Sequence, residues 1–307
     1  VEFARRTGHR VAMDIEPGDI LRDTRPHPVE GVPGRYTTFI PEAWRIFYAF
    51  GGSTMATALR AAAAGVDRDD LHLISADATF CQAVPCGPVA AQVEVLRNGR
   101  TAAQALVRLW ALDPADPDPT GPVGNDLVLT VVFGDRSDGP FGFVGAVAPE
   151  VPDPDDCPPR PELEQDSPFA RIPYHFQTEF RPTDRVIGWG REFPPGEPRS
   201  SSWFRFRTPP LLPDGRWEPA ALALPGDILG PAVHSGAGSG AGEFLVISLQ
   251  IGLQFVGDVR TDWVLQHTRA HHAGDGYATG TAELYDQDRR LVAIATQAAK
   301  LQPLKLG

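Results

Sequence analysis

VAAQVEVLRNGRTAAQALVRLWALD, residues 89–113, is the stretch on which the fold turns. Two runs rich in Val, Leu and Ala meet at Asn98-Gly99, a dipeptide that accepts positive φ at both central positions of the tightest hairpin turn, so the spacing predicts a long antiparallel hairpin. Upstream, HLISADATF (72–80) reads as a further strand. Before it, GGSTMATALRAAAAGV (51–66) reads as a helix of about three turns, with Ser53 or Thr54 as N-cap, an alanine-rich interior and Gly65 as the C-cap glycine. RYTTFI (35–40) is the strand that leads into this helix, and downstream the Asp/Pro-rich loop DPADPDPTGPVGN (113–125) precedes a last strand, DLVLTVVFG (126–134). The unit is therefore a strand, a long helix and a set of antiparallel strands.

The same order recurs after a segment of linker composition, 135–170, which holds DGPFG and VPDPDDCPPRPELEQDSP. HFQTEF and WFRFR read as strands, PAALALPGDILGPAV (219–233) as the helix, FLVISLQIGLQF (244–255) as a strand, 263–286 as a hairpin and RRLVAIATQAAKLQ (289–302) as the closing strand. Phe80 maps onto Phe255, Gln92 onto Gln266 and Leu127 onto Leu291. Few side chains match, but the order of elements does. A duplicated helix-and-curved-sheet unit is an α+β plan in which each helix is wrapped by sheet. The boundaries that follow are a lead-in at 1–34, a first domain at 35–134, the linker at 135–170 and a second domain at 171–307.

Composition narrows the function. At 307 residues and 42% hydrophobic content the chain has material for two cores, and its net charge of -11 argues against a nucleic-acid partner. No run approaches the roughly 20 apolar residues that span a bilayer, and the first residues lack the apolar core of a signal peptide. No membrane partner and a cytoplasmic location are the expectations. Cys81, Cys86 and Cys157 have no metal-ligand spacing and read as free thiols; His267, His271 and His272 lack an acidic or cysteine partner, so no metal site is expected. The run GAGSGAG (236–242) lacks the Lys-Ser/Thr of a phosphate loop, and Ser239 fails the nucleophile-elbow pattern because Ala237 stands where a glycine belongs.

One carboxylate stands out. Asp227 lies within an otherwise apolar helical run, where burial without a partner costs several kcal/mol, on the order of a few, so it is either surface-facing or a working group. YTTFIPEAW (36–44), the GGSTMATALRAAAA helix start and VEVLRNGRTAAQALVRLW (93–110) resemble the N-terminal domain of the acyl-CoA thioesterase II type; WFRFR, EPAALALPGDILGPA, ISLQIGLQF and LVAIATQAAKL resemble its C-terminal domain. The resemblance implies a double hotdog acting on an acyl-CoA or other acyl-thioester, without a cofactor, and a homo-oligomer. It also implies a water held by three side chains, an aspartate at Asp227, a hydroxyl at Ser248 and a glutamine at Gln297. Gly51, Gly52 and Ser53 at the first helix start, or the backbone around Gly226, are the expected oxyanion donors, and His234 a substrate-side group. Pro225 departs from the family pattern and predicts a bend or restart of the second helix just before Asp227. Two alternatives stay open: hydration or dehydration of an acyl-thioester, which needs a His with a carboxylate, and an idle acyl-CoA binding protein.

Overall fold

Strand alternation and the helix-forming run at 51–66 build two similar halves. The computed structural model describes residues 16–137, 139–160, 171–183 and 192–304; residues 1–15, 138, 161–170, 184–191 and 305–307 lie outside the described residues. In the first half, α1 (Ile20–Asp23) and β1 (His27–Pro28) precede β2 (Arg35–Ile40), α2 (Gly51–Val66), β3 (His72–Phe80), β4 (Gly87–Asn98), β5 (Ala102–Ala111) and β6 (Leu127–Gly134). The second half has β7 (Thr178–Pro182), β8 (Arg199–Phe206), α3 (Ala223–Gly226), α4 (Leu229–Ala237), β9 (Phe244–Phe255), β10 (Val264–Gly274), β11 (Tyr277–Asp286) and β12 (Leu291–Pro303). Among the described residues twelve strands form one sheet in the order β1-β2-β4-β5-β6-β3-β9-β12-β11-β10-β8-β7. The buried face of that sheet wraps α2 with β4, β5 and β6, and α4 with β8, β10 and β11.

The halves join where β3 pairs antiparallel with β9. Ser75 faces Gln254 and Thr79 faces Gln250, so the ladder is symmetric about the pair Asp77–Gly252. Phe80 and Phe255 close the two strands, and the map of one onto the other stands. Each strand also carries a bulge at the same place, Ile74 in β3 and Leu249 in β9. The other two matches slip. Leu127 faces Phe80 while Ala293, not Leu291, faces Phe255; Ala91 faces Leu109 while Gln266 faces Leu284, so Gln266 answers to Ala91 rather than to Gln92. Gln266 consequently points inward, toward the helices.

Tertiary contacts overrule three local expectations. Strand pairing stops at Asn98–Ala103, neither Asn98 nor Gly99 has positive φ, and a longer turn is held by Arg68, which donates to Asn98 Oδ1, Gly99 O and Arg100 O at 2.8–3.0 Å. The tight two-residue turn occurs instead in the second half, where Asp275 and Gly276 have φ of 53° and 81° between the paired Gly274 and Tyr277. Helix α2 starts at Gly51, ahead of the expected caps: Ser53 and Thr54 donate their hydroxyls to the Phe50 carbonyl. It ends with Asp67 in the left-handed region, while Gly65 lies within the helix where an added Cβ would come within 2.6 Å of Val93 Cγ1.

The segment 219–233 is not one helix. A 3-10 turn (Pro219–Leu222) leads into α3, the backbone leaves helical geometry at Asp227 and Ile228, and α4 begins at Leu229; Pro225 lies within α3, and the break falls beyond it, where a continuous helix would set the Pro231 ring against the Asp227 carbonyl. The stretch of linker composition also has a structural part: Ala146, Ala148 and Val151 pack with Cys157 on Trp203, Trp263, Leu265 and Tyr285, covering the outer face of the second half. Trp203 Nε1 donates to the Pro152 carbonyl at 3.0 Å and fastens this cover.

Candidate active site

The helix break turns Asp227 toward the junction of the halves. Its Oδ1 accepts from Ser248 Oγ and from Gln297 Nε2, both at 2.8 Å, and its Oδ2 accepts from the Gly52 N–H at 3.0 Å. Gln297 Nε2 also donates to Ser248 Oγ at 2.6 Å, and Gln297 Oε1 accepts the Leu229 N–H at 3.0 Å. Ser248 lies on β9 and Gln297 on β12, neighbouring strands, so the sheet fixes both side chains against the break. The carboxylate comes from one half and the helix N-terminus that receives it from the other.

Glycine makes the approach possible. A Cβ on Gly51 would stand 2.5 Å from Asp227 Oδ2, and one on Gly52 would stand 2.6 Å from the Ala223 carbonyl oxygen and from Leu224 Cα. The N-terminal end of α2 carries partial positive charge that favours a carboxylate there. Burial nevertheless dominates and pushes the Asp227 carboxyl up to about 6, opposed by the hydrogen bonds from Ser248, Gly52 and Gln297. Burial also raises the Tyr48 and Tyr174 hydroxyls, and the charge of Asp227 adds to both shifts.

Asp227, Ser248, Gln297, Gly51 and His234 all line one cavity of about 440 Å³, with walls that include Phe50, Phe80, Tyr174, Phe180 and Leu245. The site residues expected from sequence thus converge, with two exceptions. Ser53 is buried, its hydroxyl is spent on the Phe50 carbonyl, and its neighbour Thr54 lines the cavity in its place. The Gly52 N–H is directed at Asp227, which leaves Gly51 as the helix-start residue exposed to the cavity. His234 Nδ1 lies 2.9 Å from the Gly230 carbonyl oxygen, its Nε2 3.2 Å from that of Phe244, and its ring stacks on Phe244 at 4.3 Å.

Sequence reasoning missed other members of the cavity wall. Tyr174 lies in a segment that carries no periodic signal. Arg160 and His175 also line it, with Arg160 Nη1 3.2 Å from His175 Nε2; burial and then the guanidinium hold that imidazole down at about 3, and so neutral. Among the described residues no group of three or more His, Cys, Asp or Glu is arranged to hold a metal, and no helix is long and apolar enough to cross a membrane.

Two helix-in-sheet units joined edge to edge across β3 and β9, with one polar site at their junction, define a double hotdog. The family model described as acyl-CoA thioesterase N-terminal domain matches residues 40–133 and that of the C-terminal domain matches 154–301, and the chain belongs to the acyl-CoA thioesterase family. A search of curated protein sequences finds no match. Solved structures similar to it include a hot dog fold protein of unknown function from Alicyclobacillus acidocaldarius, at 21% identity and TM-score 0.74, covering 93% of this chain and 98% of that one. A provisionally assigned thioesterase from Novosphingobium aromaticivorans is 29% identical with TM-score 0.67 over 89% and 98% of the two chains. An acyl-CoA thioesterase II from Mycobacterium marinum is 20% identical with TM-score 0.68 over 94% and 99%.

Proposed function

We propose that the protein hydrolyses acyl-CoA thioesters to the free acid and CoA, with water activated at Asp227. The observation that carries the reading is the Asp227 carboxylate, held by Ser248, Gln297 and the Gly52 N–H on the wall of a largely apolar cavity. Asp227 Oδ1 is saturated by two donors, whereas Oδ2 has one, which leaves Oδ2 a lone pair for a water. That water attacks the thioester carbonyl carbon and gives its proton to Asp227. The tetrahedral intermediate then collapses by breaking the carbon–sulfur bond, and the departing CoA thiolate takes up the proton.

A base must be ionised at the working pH and still basic enough to accept a proton, and a carboxyl raised to about 6 meets both conditions near neutrality. The positive end of α2, with Gly51 facing the cavity, is suited to meet the developing oxyanion. His234 lends no weight to a hydratase or dehydratase, because its two ring nitrogens face backbone carbonyl oxygens.

A panel of acyl-CoA substrates from short to long chain, assayed for thiol release with wild type and Asp227→Asn together, tests the reading. Turnover of at least one chain length by wild type and its loss in the variant are expected. Full activity in Asp227→Asn overturns the site; acyl-CoA binding without turnover at any length overturns the activity and leaves the idle binding protein.

A further inference from the structure

In an unbroken helix the Leu229 N–H would donate to the Pro225 carbonyl four residues back. Here the backbone leaves the helix between them, with Asp227 at φ -89°, ψ 70° and Ile228 at φ -138°, ψ 20°, and both groups are buried. A buried backbone donor or acceptor needs a partner. Each half of the missing bond is taken by a different glutamine. Leu229 N–H donates to Gln297 Oε1 at 3.0 Å, and the Pro225 carbonyl accepts from Gln266 Nε2 at 2.9 Å. Gln266 is 1% exposed and does not line the cavity, and the amide face it presents to Pro225 is set by Ser202, whose Oγ donates to Gln266 Oε1 at 3.0 Å. Ser202 and Gln266 are direct cross-strand partners on β8 and β10, so this orientation is built into the sheet.

The first half supplies an internal control. Ala91 occupies the place of Gln266 there, buried and incapable of a side-chain hydrogen bond, and the helix it faces, α2, runs unbroken over 16 residues. The half with the broken helix has the glutamine together with Pro225 and Pro231; the half with the continuous helix has the alanine and no helix proline.

We propose that Gln266, oriented by Ser202, is a positioning residue that caps the Pro225 carbonyl at the break of the second helix and thereby aims the Asp227 carboxylate at Gly52, Ser248 and Gln297. This assignment rests on the reading of Asp227 as the base of a thioesterase, and it adds a residue that touches neither substrate nor water. Gln297 serves both the break and the reacting group, whereas Gln266 serves the break alone. Loss of the Gln266 bond leaves the buried Pro225 carbonyl without its donor, and because Pro231 bars a continuous helix through Asp227, relief comes from a shift of the backbone at the break, which moves Asp227 off its three donors.

The test compares Gln266→Met, which keeps length and removes both hydrogen bonds, with Ser202→Ala and Ser202→Thr. For Gln266→Met, kcat per folded enzyme is expected to fall about tenfold to a hundredfold with KM nearly unchanged, the pattern of a displaced reacting group. Ser202→Ala should show a smaller fall of the same kind, and Ser202→Thr, which keeps the hydroxyl, should restore it. A second readout does not depend on turnover. The Asp227 carboxyl is followed by carbon-13 NMR against pH, with Asp227→Asn identifying its signal, and its midpoint should move in Gln266→Met and in Ser202→Ala but not in Ser202→Thr. Wild-type kcat and an unmoved midpoint in folded Gln266→Met overturn the proposal. Should Gln266→Met not fold, wild-type kcat and an unmoved midpoint in Ser202→Ala overturn it equally. If Asp227→Asn keeps full activity while the midpoint still moves in Gln266→Met, the catalytic reading has failed and the positioning of Asp227 by Gln266 has survived.

Discussion

The two halves are built on one plan and are chemically unlike at corresponding places. In the second half, Ser248 on β9 and Gln297 on β12 point at Asp227. By ladder register and the shared bulge, Leu73 on β3 and Val131 on β6 stand in those places in the first half, both buried in the apolar core. The spacing that carries Phe80 onto Phe255 carries Gly52 onto Asp227, so the residue that donates its N–H to the carboxylate is also the carboxylate's counterpart. One half supplies a rigid, continuous helix whose start receives charge, and the other supplies the charge and breaks its helix to place it. The duplication separates two tasks that a single unit could not perform on one helix, because a helix with Asp227's carboxylate at its own break cannot also offer an uninterrupted N-terminus to it.

The largest effect that distinguishes the halves is expected from Asp227→Asn, which should lower kcat by about a hundredfold to ten-thousandfold in a thiol-release assay. Equal activity in the variant would erase the functional contrast. Leu73→Ala, at the place answering to Ser248, should behave in the opposite way, costing about 2–4 kcal/mol of stability in denaturant unfolding with kcat per folded molecule unchanged. A kcat defect there would mean that the first half also contributes side chains to the chemistry.

The third contrast is in pH dependence. Because burial raises the folded-state carboxyl of Asp227 from 3.8 to about 6, the native state binds more protons than the unfolded state in that window, and stability falls as pH rises through it. Asp227→Asn lacks this titration, so the stability of wild type relative to the variant should drop by about 3 kcal/mol in all from well below pH 3.8 to well above pH 6, about 2 kcal/mol of it between those two values. Chemical denaturation across that range measures it, and a constant difference would place Asp227 in a water-like setting. In the same range, kcat/KM should lose activity on the acid side with a midpoint near 6, as the base is protonated. The smallest effect is expected at Ser248: replacement by Ala should cost about tenfold in kcat, and Ser248→Thr should retain most of the activity, as read in steady-state kinetics.

Much of the architecture was legible because periodicity and turn residues are local signals. The strand at Phe244–Phe255 agrees with the run FLVISLQIGLQF end to end, and the Asp275-Gly276 turn closes the hairpin expected over 263–286. The Asn98-Gly99 turn failed as a local reading because Arg68, thirty residues upstream, organises that loop from outside it. Ser53 failed for a related reason: a hydroxyl near a helix start looks like a cap or a binding group, but α2 begins two residues earlier, where Asp227 reaches its N-terminus, and the serine is turned into the core.

Of the site, the resemblance to a known family located Asp227, Ser248 and Gln297, and the convergence of these side chains is a fact of the fold. Gln266 entered the sequence reading only as the repeat partner of Gln92, and its role went unread because a lone glutamine on an alternating strand reads as solvent-facing until its register is known.

By itself the sequence determined the repeated unit, the order of its elements and the single carboxylate in an apolar run. Those features depend on propensity, alternation and backbone chemistry within a few residues. Only the tertiary structure decided that the two sheets become one across β3 and β9, that the carboxylate of one half meets the helix start of the other, and that Gln266 and Gln297 hold the break between them. Each of those depends on register and on groups far apart in the chain, where a one-residue slip turns a side chain to the opposite face.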